Sequence, residues 1–309
     1  MDYANLKRLN FSKDDVAVFR GDIVSKITGS TIDTMKGDLV LTNASYINRK
    51  DQYFFDYLTL NSSFNSENEH VVTLYSPNEV NGKIQGKFEF AQIAKMVENS
   101  LGSLYANYRP NTLKKGQYVN FDFVEFHKII EIINPEISFS EDARLNGVIR
   151  SDENDFNMVL TSKTVEVFGN HLDNFLLEID NKNPLYNTYV QLDSLKTKYY
   201  KIRDFSLINT TAKDTLAFRT EFKGGEKGND FYNLNLYHTI DAQKNNVIGF
   251  RKSEVMFKDY LWYINSNDDE KNRIVFDKNL NNFRFDDLLI SHDNEFMSLS
   301  GSLNDAQKS

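Results

Sequence analysis

The stretch DFYNLNLYHTID, residues 230–241, decides the fold class. Tyr232, Leu234, Leu236, His238 and Ile240 occupy every second position, with Asn233, Asn235 and Tyr237 between them. A period of two places alternate side chains on opposite faces of an extended strand, one face turned to an apolar interior and the other to water. The same alternation runs through KIQGKFEF (83–90), DFNMVLTS (155–162), TVEVFG (164–169), LDNFLLEID (172–180), TLAFRTEFKGG (215–225) and EFMSLSGSL (295–303). Short polar breaks separate the runs, among them NSENEH (65–70), SDEND (151–155) and NSNDDEKN (265–272). Many short strands at a spacing of roughly ten residues imply an all-β sandwich, barrel or solenoid.

Two stretches leave this period. In residues 90–108, Ile93, Met96, Val97, Leu101, Leu104, Tyr105 and Tyr108 fall at helical spacing, and Arg109-Pro110 stops the run. A shorter helix is predicted over 127–133, where Ile129, Ile130 and Ile133 form a stripe. Asn134-Pro135 ends it, because proline pushes the preceding residue out of the α region. NFDFVEF (120–126), just upstream, reads as a strand.

Two patterns recur. One is apolar-x-Gly-x-apolar, around Gly37, Gly86, Gly147 and Gly301. The other is apolar-Asp-x-apolar-x-apolar, as in Phe55-Asp56-x-Leu58-x-Leu60, Leu172-Asp173-x-Phe175-x-Leu177 and Phe285-Asp286-x-Leu288-x-Ile290, with a looser copy through Ile202, Asp204, Phe205 and Leu207. Together they suggest degenerate repeats of a β meander, with inward glycines where the sheet bends or bulges.

The chain has 309 residues, 40% hydrophobic and 26% charged, enough for a sizeable core. With no cysteine it has no disulfide, thiolate nucleophile or Cys-ligated metal. The net charge of −8 argues against nucleic acid as a partner, since phosphate backbones require a basic face. His70, His127, His171, His238 and His292 are scattered without ligand spacing, and no Gly-x-Ser-x-Gly elbow exists. The one glycine-rich loop, GGEKGND (224–230), joins two alternating strands instead of opening a helix, so it reads as a hairpin connection. No cofactor, metal or catalytic residue is called for, and the expectation is a protein that is not an enzyme. What stands out is bulk: inward positions rich in Phe, Leu, Ile and Tyr along nearly the whole length. Two readings fit, a closed sandwich core and a long apolar groove that holds acyl chains.

A resemblance separates them. FRTEFKGG, FYNLNLYHTID, NNVIGFRKSEVMFKDYLWYIN, NRIVFD and FRFDDLLISHDNEFMSLSG, with Thr239, Gly249, Ser253, Trp262 and Asn265 inside them, resemble in order and spacing the C-terminal region of the TamB family of AsmA-like envelope proteins. This family-like section covers about 215–303. Upstream, ITGSTIDTMKGDLVLTNASYINRKDQYFFDYLTLNSS and VTLYSPNEVNGKIQGKFEF resemble the family's repeating strands, and FDFVEFHKIIEIINPEISFSEDARLNG one of its helix-containing inserts.

The resemblance implies a fold and a role. The fold is a long, twisted, U-shaped β-sheet with an apolar trough, here one elongated section over 1–309 with a helical insert at about 90–134. The role is periplasmic. A bridge anchored to the inner membrane, through a segment this sequence does not carry, conducts phospholipid acyl chains towards the outer membrane. Its expected partners are an outer-membrane β-barrel assembly protein and the neighbouring sections of the bridge. The ends, MDYANLKRLNF and GSLNDAQKS, carry neither signal peptide nor anchor, so the chain is expected to be a section of a longer protein. By parity within each run, Ile84, Phe88, Phe90, Leu234, Leu236, Ile248, Phe250, Trp262 and Ile264 are expected to line the trough. Competing expectations are an envelope scaffold that binds its barrel partner by strand addition, and an all-β carbohydrate-active protein, against which the single Trp counts.

Overall fold

A computed structural model describes residues 4–5, 16–49, 51–104, 108–212 and 215–304. Strands dominate it, every described strand pair is antiparallel, and the chain divides into two compact units. The first comprises residues 1–97 and 111–175, the second residues 98–110 and 176–309. None of the described helices is long and apolar enough to cross a membrane.

The first unit contains β1 (Ala4–Asn5), β2 (Val18–Thr28), a single 3₁₀ turn (Ile32–Thr34), β3 (Lys36–Ile47), β4 (Gln52–Phe64), β5 (His70–Ser76) and β6 (Val80–Lys87). Then come α1 (Phe90–Gly102), β7 (Tyr118–Val124), α2 (His127–Ile133), β8 (Ile137–Phe139), β9 (Arg144–Arg150) and β10 (Asp155–Val167). The last turns of α1 belong to the second unit. Neighbours in sequence pair from β1 to β7. After α2, β9 returns to pair with β7, and β10 pairs with both β9 and β8.

Register carries one apolar face across this sheet. Leu39 pairs with Leu60, Leu60 with Leu74, Leu74 with Gly82, Gly82 with Phe123, Phe123 with Leu145 and Leu145 with Leu160. Directly paired residues share a face, so these side chains form one inner surface. At one end α2 covers it. Ile129 and Ile132 pack on Tyr46, Tyr53 and Phe55, and Ile129 and Ile130 on the buried Val80, Phe126 and Ala143.

The recurring glycines sit where strands crowd. At Gly37 the backbone has φ +128°, and a Cβ would lie 1.8 Å from the Lys26 carbonyl oxygen. Only glycine meets both demands. Around Gly301 a Cβ would meet nothing within 4 Å, so crowding does not explain the fourth copy.

The second pattern marks bulges at two of its copies, whereas the copy at Phe55 keeps an unbroken register with β3. Its apolar residues step by three and then by two, which inserts one residue without changing face. Register shifts between Arg203 and Ser206, where Asp204 has φ +51°, and between Phe285 and Leu288, where Asp287 has φ +45°. Asn174, in the copy at Leu172, has φ +50°. Asp and Asn tolerate the left-handed region better than other non-glycine residues, which is why an acidic or amide residue occupies the extra position.

β11 (Asn170–Asp180) spans the division between units. The second unit continues with β12 (Thr188–Lys196), β13 (Lys201–Ala212), β14 (Thr215–Gly224), β15 (Asp230–Ile240), β16 (Asn246–Phe250) and β17 (Ser253–Phe257). β18 (Tyr260–Ile264), β19 (Arg273–Phe276), β20 (Asn282–His292) and β21 (Glu295–Asn304) complete it. β15 pairs along its length with β17 and then β16, and β20 likewise with β19 and then β18. The interruptions are stitched by buried polar side chains. Ser253 Oγ accepts from the Asn235 N–H (2.9 Å) and donates to the Arg251 carbonyl (2.9 Å). Asn265 Nδ2 donates to the carbonyls of Phe250 (2.7 Å) and Asp269 (2.9 Å). Beside them the Tyr237 ring lies over Gly249, where a Cβ would come within 2.0 Å of the ring. Gly249, Ser253 and Asn265, three of the residues quoted for the family resemblance, thus have structural work at one break in the ladder.

The helix expected over 90–108 is shorter than its apolar spacing suggested. It ends at Gly102, and the Tyr108 ring folds back into the space a Cβ at Gly102 would need, its hydroxyl donating to Asn99 Oδ1 (2.9 Å). Tyr105 lies outside the described residues. The helix over 127–133 has the expected bounds, and the strand expected at 120–126 lies two residues earlier as β7, because Glu125 turns the chain at φ +58° and Phe126 precedes α2 as its N-cap.

Candidate functional site

Between the α2 cluster and the start of α1, the inner face of the first unit is open. An apolar cavity of about 400 Å³ lies there, lined by Ile27, Ile32, Met35, Leu39, Leu60, Ser62, His70, Val72, Leu74, Gly82, Ile84, Phe90 and Phe123. Sheet register supplies most of this wall. Val72 pairs with both Ser62 and Ile84, and Leu74 with both Leu60 and Gly82. Gly82 has a specific part, because the Phe123 ring occupies the space where its Cβ would stand, 2.1 Å from the nearest ring carbon. The 3₁₀ turn contributes Ile32, and its Asp33 carboxylate accepts the Phe90 N–H (2.8 Å) at the start of α1. A negative side chain is favourable at a helix start, and here it ties α1 to the turn.

Ser62 and His70 are the polar side chains in the lining. Ser62 Oγ donates its one proton to the Met35 carbonyl (2.6 Å), so it accepts from His70 Nε2–H at 2.7 Å. This assigns the Nε2–H tautomer and leaves Nδ1 as a bare acceptor, buried and without a partner. The ring is 2% exposed and stacked between Phe64 (centroids 4.5 Å) and Phe88 (5.6 Å), with Phe90 edge-on at 5.7 Å. Burial among aromatic rings pushes the imidazole below its ordinary pKa, with the Asp33 carboxylate opposing weakly. The wall therefore stays uncharged at neutral pH.

Among the residues expected to line a trough, Ile84 and Phe90 line this cavity, while Phe88 is buried behind it against His70. One assignment needs correction. Strand parity placed Phe88 and Phe90, but β6 ends at Lys87 and Phe90 opens α1, so the chain turn directs these two rings. The other six residues lie in the second unit. There Leu236 pairs with Phe218 and Phe250, Ile248 with His238 and Ile274, Trp262 with Val255, and Ile264 with Ser253 and Ile290. Leu234 lies two residues from Leu236, on the same face. These side chains are half-buried, so the face is not sealed by a second layer. Trp262 lies against the His292 ring at 5.1 Å.

His70, Leu39, Leu60, Val72, Leu74 and Phe123 were missed as lining residues. Their signal was present: HVVTLYS puts His70, Val72 and Leu74 in phase, but phase within one strand does not say which strands adjoin. No group of three or more Asp, Glu or His able to hold a metal occurs among the described residues.

Comparison with known proteins adds no relative. No family model, no curated protein and no solved structure matches this chain.

Proposed function

We propose that the chain holds lipid acyl chains against its apolar inner surface, as a section of a TamB/AsmA-like periplasmic bridge that carries phospholipid between inner and outer membranes. The observation that carries this reading is the cavity in the first unit. Its wall is apolar, and its two polar side chains already bond to each other. Each methylene sheltered there gains about 0.8 kcal/mol relative to water, so a chain is retained with no charge or cofactor. The half-buried apolar face of the second unit, in phase over β14 to β20, supports the same use. The envelope location and the bridge context rest on the sequence resemblance.

The test is binding of a polyene fatty acid whose fluorescence rises in apolar surroundings. Val72→Phe, which fills the cavity with apolar bulk, is expected to weaken binding about tenfold, or about 1.4 kcal/mol. Thr73→Asp, on the opposite face beside Lys83, is expected to leave it unchanged. Equal binding by folded Val72→Phe and wild type refutes the reading.

A second reading has its own observation. β21 pairs with β20 alone among the described strands, and Phe296, Met297, Leu299 and Leu303 along it are exposed. An unprotected edge of this kind accepts another strand, which suits docking to a β-barrel assembly protein. A photo-crosslinker at Leu299 is then expected to trap that barrel protein in cells. The same probe on the polar face of β14 is not.

A further inference from the structure

At one end of the second unit's apolar face lies a recess of about 620 Å³, lined by Tyr108, Arg109, Ile240, Asp241, Lys244, Asn246 and Lys278 among others. Three of these side chains are cationic and one is acidic, a local reversal in a chain of net charge −8. The turns that carry the lysines occupy their own acids. The Asp241 carboxylate accepts from the Asn245 N–H (2.8 Å) and Nδ2 (3.1 Å). The Asp277 carboxylate accepts from the backbone of Asn279 (2.9 Å) and Asn281 (3.1 Å) and from Asn282 Nδ2 (2.5 Å). Among the described residues, Arg109, Lys244 and Lys278 take part in no ion pair.

The floor of the recess is continuous with the apolar face. Ile240 pairs with Asn246, Asn246 with Phe276, and the next inward pair along β15 and β16 is His238 with Ile248. Positive charge therefore stands where that face ends. We propose that the recess binds the phosphate of an anionic amphiphile whose chain lies along the adjoining apolar face. The placement of the chain rests on the function proposed above, whereas the phosphate contact rests on the recess alone. A terminal phosphate carries more than one negative charge at neutral pH, which suits three cations, and a guanidinium offers it a two-pronged contact.

The experiment is calorimetric titration of the full chain with three probes: dihexanoyl phosphatidate, dihexanoylglycerol and inorganic phosphate. Phosphatidate is expected to bind more tightly than its uncharged counterpart, with an advantage that shrinks as salt rises. The double variant Lys244→Gln/Lys278→Gln is expected to weaken phosphatidate roughly tenfold and to leave dihexanoylglycerol unchanged. Arg109→Gln acts as an independent check in the same direction. These side chains are exposed, so circular dichroism of the variants is expected to match wild type. Equal affinity for phosphatidate and dihexanoylglycerol overturns the phosphate site while leaving chain binding intact. Equal phosphatidate affinity in wild type and the double variant also overturns it. Inorganic phosphate binding as tightly as phosphatidate, undisturbed by Phe250→Glu, makes the source a free phosphate and overturns the lipid form of the proposal. Failure of all three probes overturns both this site and chain binding on the face.

Discussion

His70 concentrates the chemistry of the cavity in one ring. Its unprotonated Nδ1 has no partner, and its surroundings disfavour the imidazolium. The unfolded chain takes up a proton at this residue as pH falls below about 6.5, while the buried ring resists until lower pH. Unfolding therefore gains protons in that window. The stability held above 6.5 is lost as pH falls towards the depressed value. Urea unfolding at pH 7.5, 6.5 and 5.5 is expected to show this loss in wild type and to show less of it in His70→Phe, which keeps an aromatic ring between Phe64 and Phe88. An identical acid loss in both proteins assigns the effect elsewhere. Gly37 is the complementary case, a residue set by backbone geometry. Gly37→Ala adds a Cβ against the Lys26 carbonyl at a positive φ, and is expected to cost about 1–3 kcal/mol in the same assay.

At the scale of elements, the bulges decide which faces meet. In β13, Ile202, Phe205 and Leu207 stay on one face only because Asp204 is an added residue. Asp204→Gly keeps the left-handed conformation and is expected to change stability by less than about 0.5 kcal/mol. Asp204→Val, whose β-branched side chain disfavours the left-handed region, pushes the strand towards a regular ladder in which Ile202 and Phe205, three residues apart, fall on opposite faces, and is expected to lower the thermal midpoint sharply, because losing the bulge reverses every later side chain. This also explains what the sequence could and could not tell. Period two revealed the strands, and both helices were visible as changes of period. The three-then-two spacing was visible too, yet its meaning depends on a neighbouring strand whose identity is a long-range fact. The length of α1 misled because Tyr108 continues the helical spacing while packing over Gly102 from outside the helix. The cavity was half-legible for the same reason: Ile84 and Phe90 were in reach, but the return of β9 to β7 and the seating of α2 follow from tertiary packing. Phe126, held by Val80, Ala143 and the Phe139 ring at 5.5 Å, anchors that seat. Phe126→Ala is expected to cost about 3–5 kcal/mol, measured by urea unfolding.

At the scale of the whole molecule, each unit carries an apolar face but treats it differently. The first partly covers its face with α2 and the start of α1, leaving a cavity. The second leaves Leu234, Leu236, Ile248, Phe250, Trp262 and Ile264 half-buried along successive strands. A lipid-holding surface has to be apolar without being consumed by the protein's own core, and the second arrangement meets that demand. Trp262, the one tryptophan of the chain, reports on it directly. A phospholipid with brominated acyl chains is expected to quench its fluorescence, and Phe250→Glu is expected to reduce the quenching. Undiminished quenching in the folded variant counts against acyl-chain binding on this face. The half-buried face has a calorimetric consequence as well. Apolar surface already wetted in the native state is not newly exposed on melting, so the heat-capacity increment should fall below the usual value of about 12–15 cal/mol/K per residue. Occupation by an acyl chain dries that surface, and the increment of the loaded protein should rise towards the ordinary range.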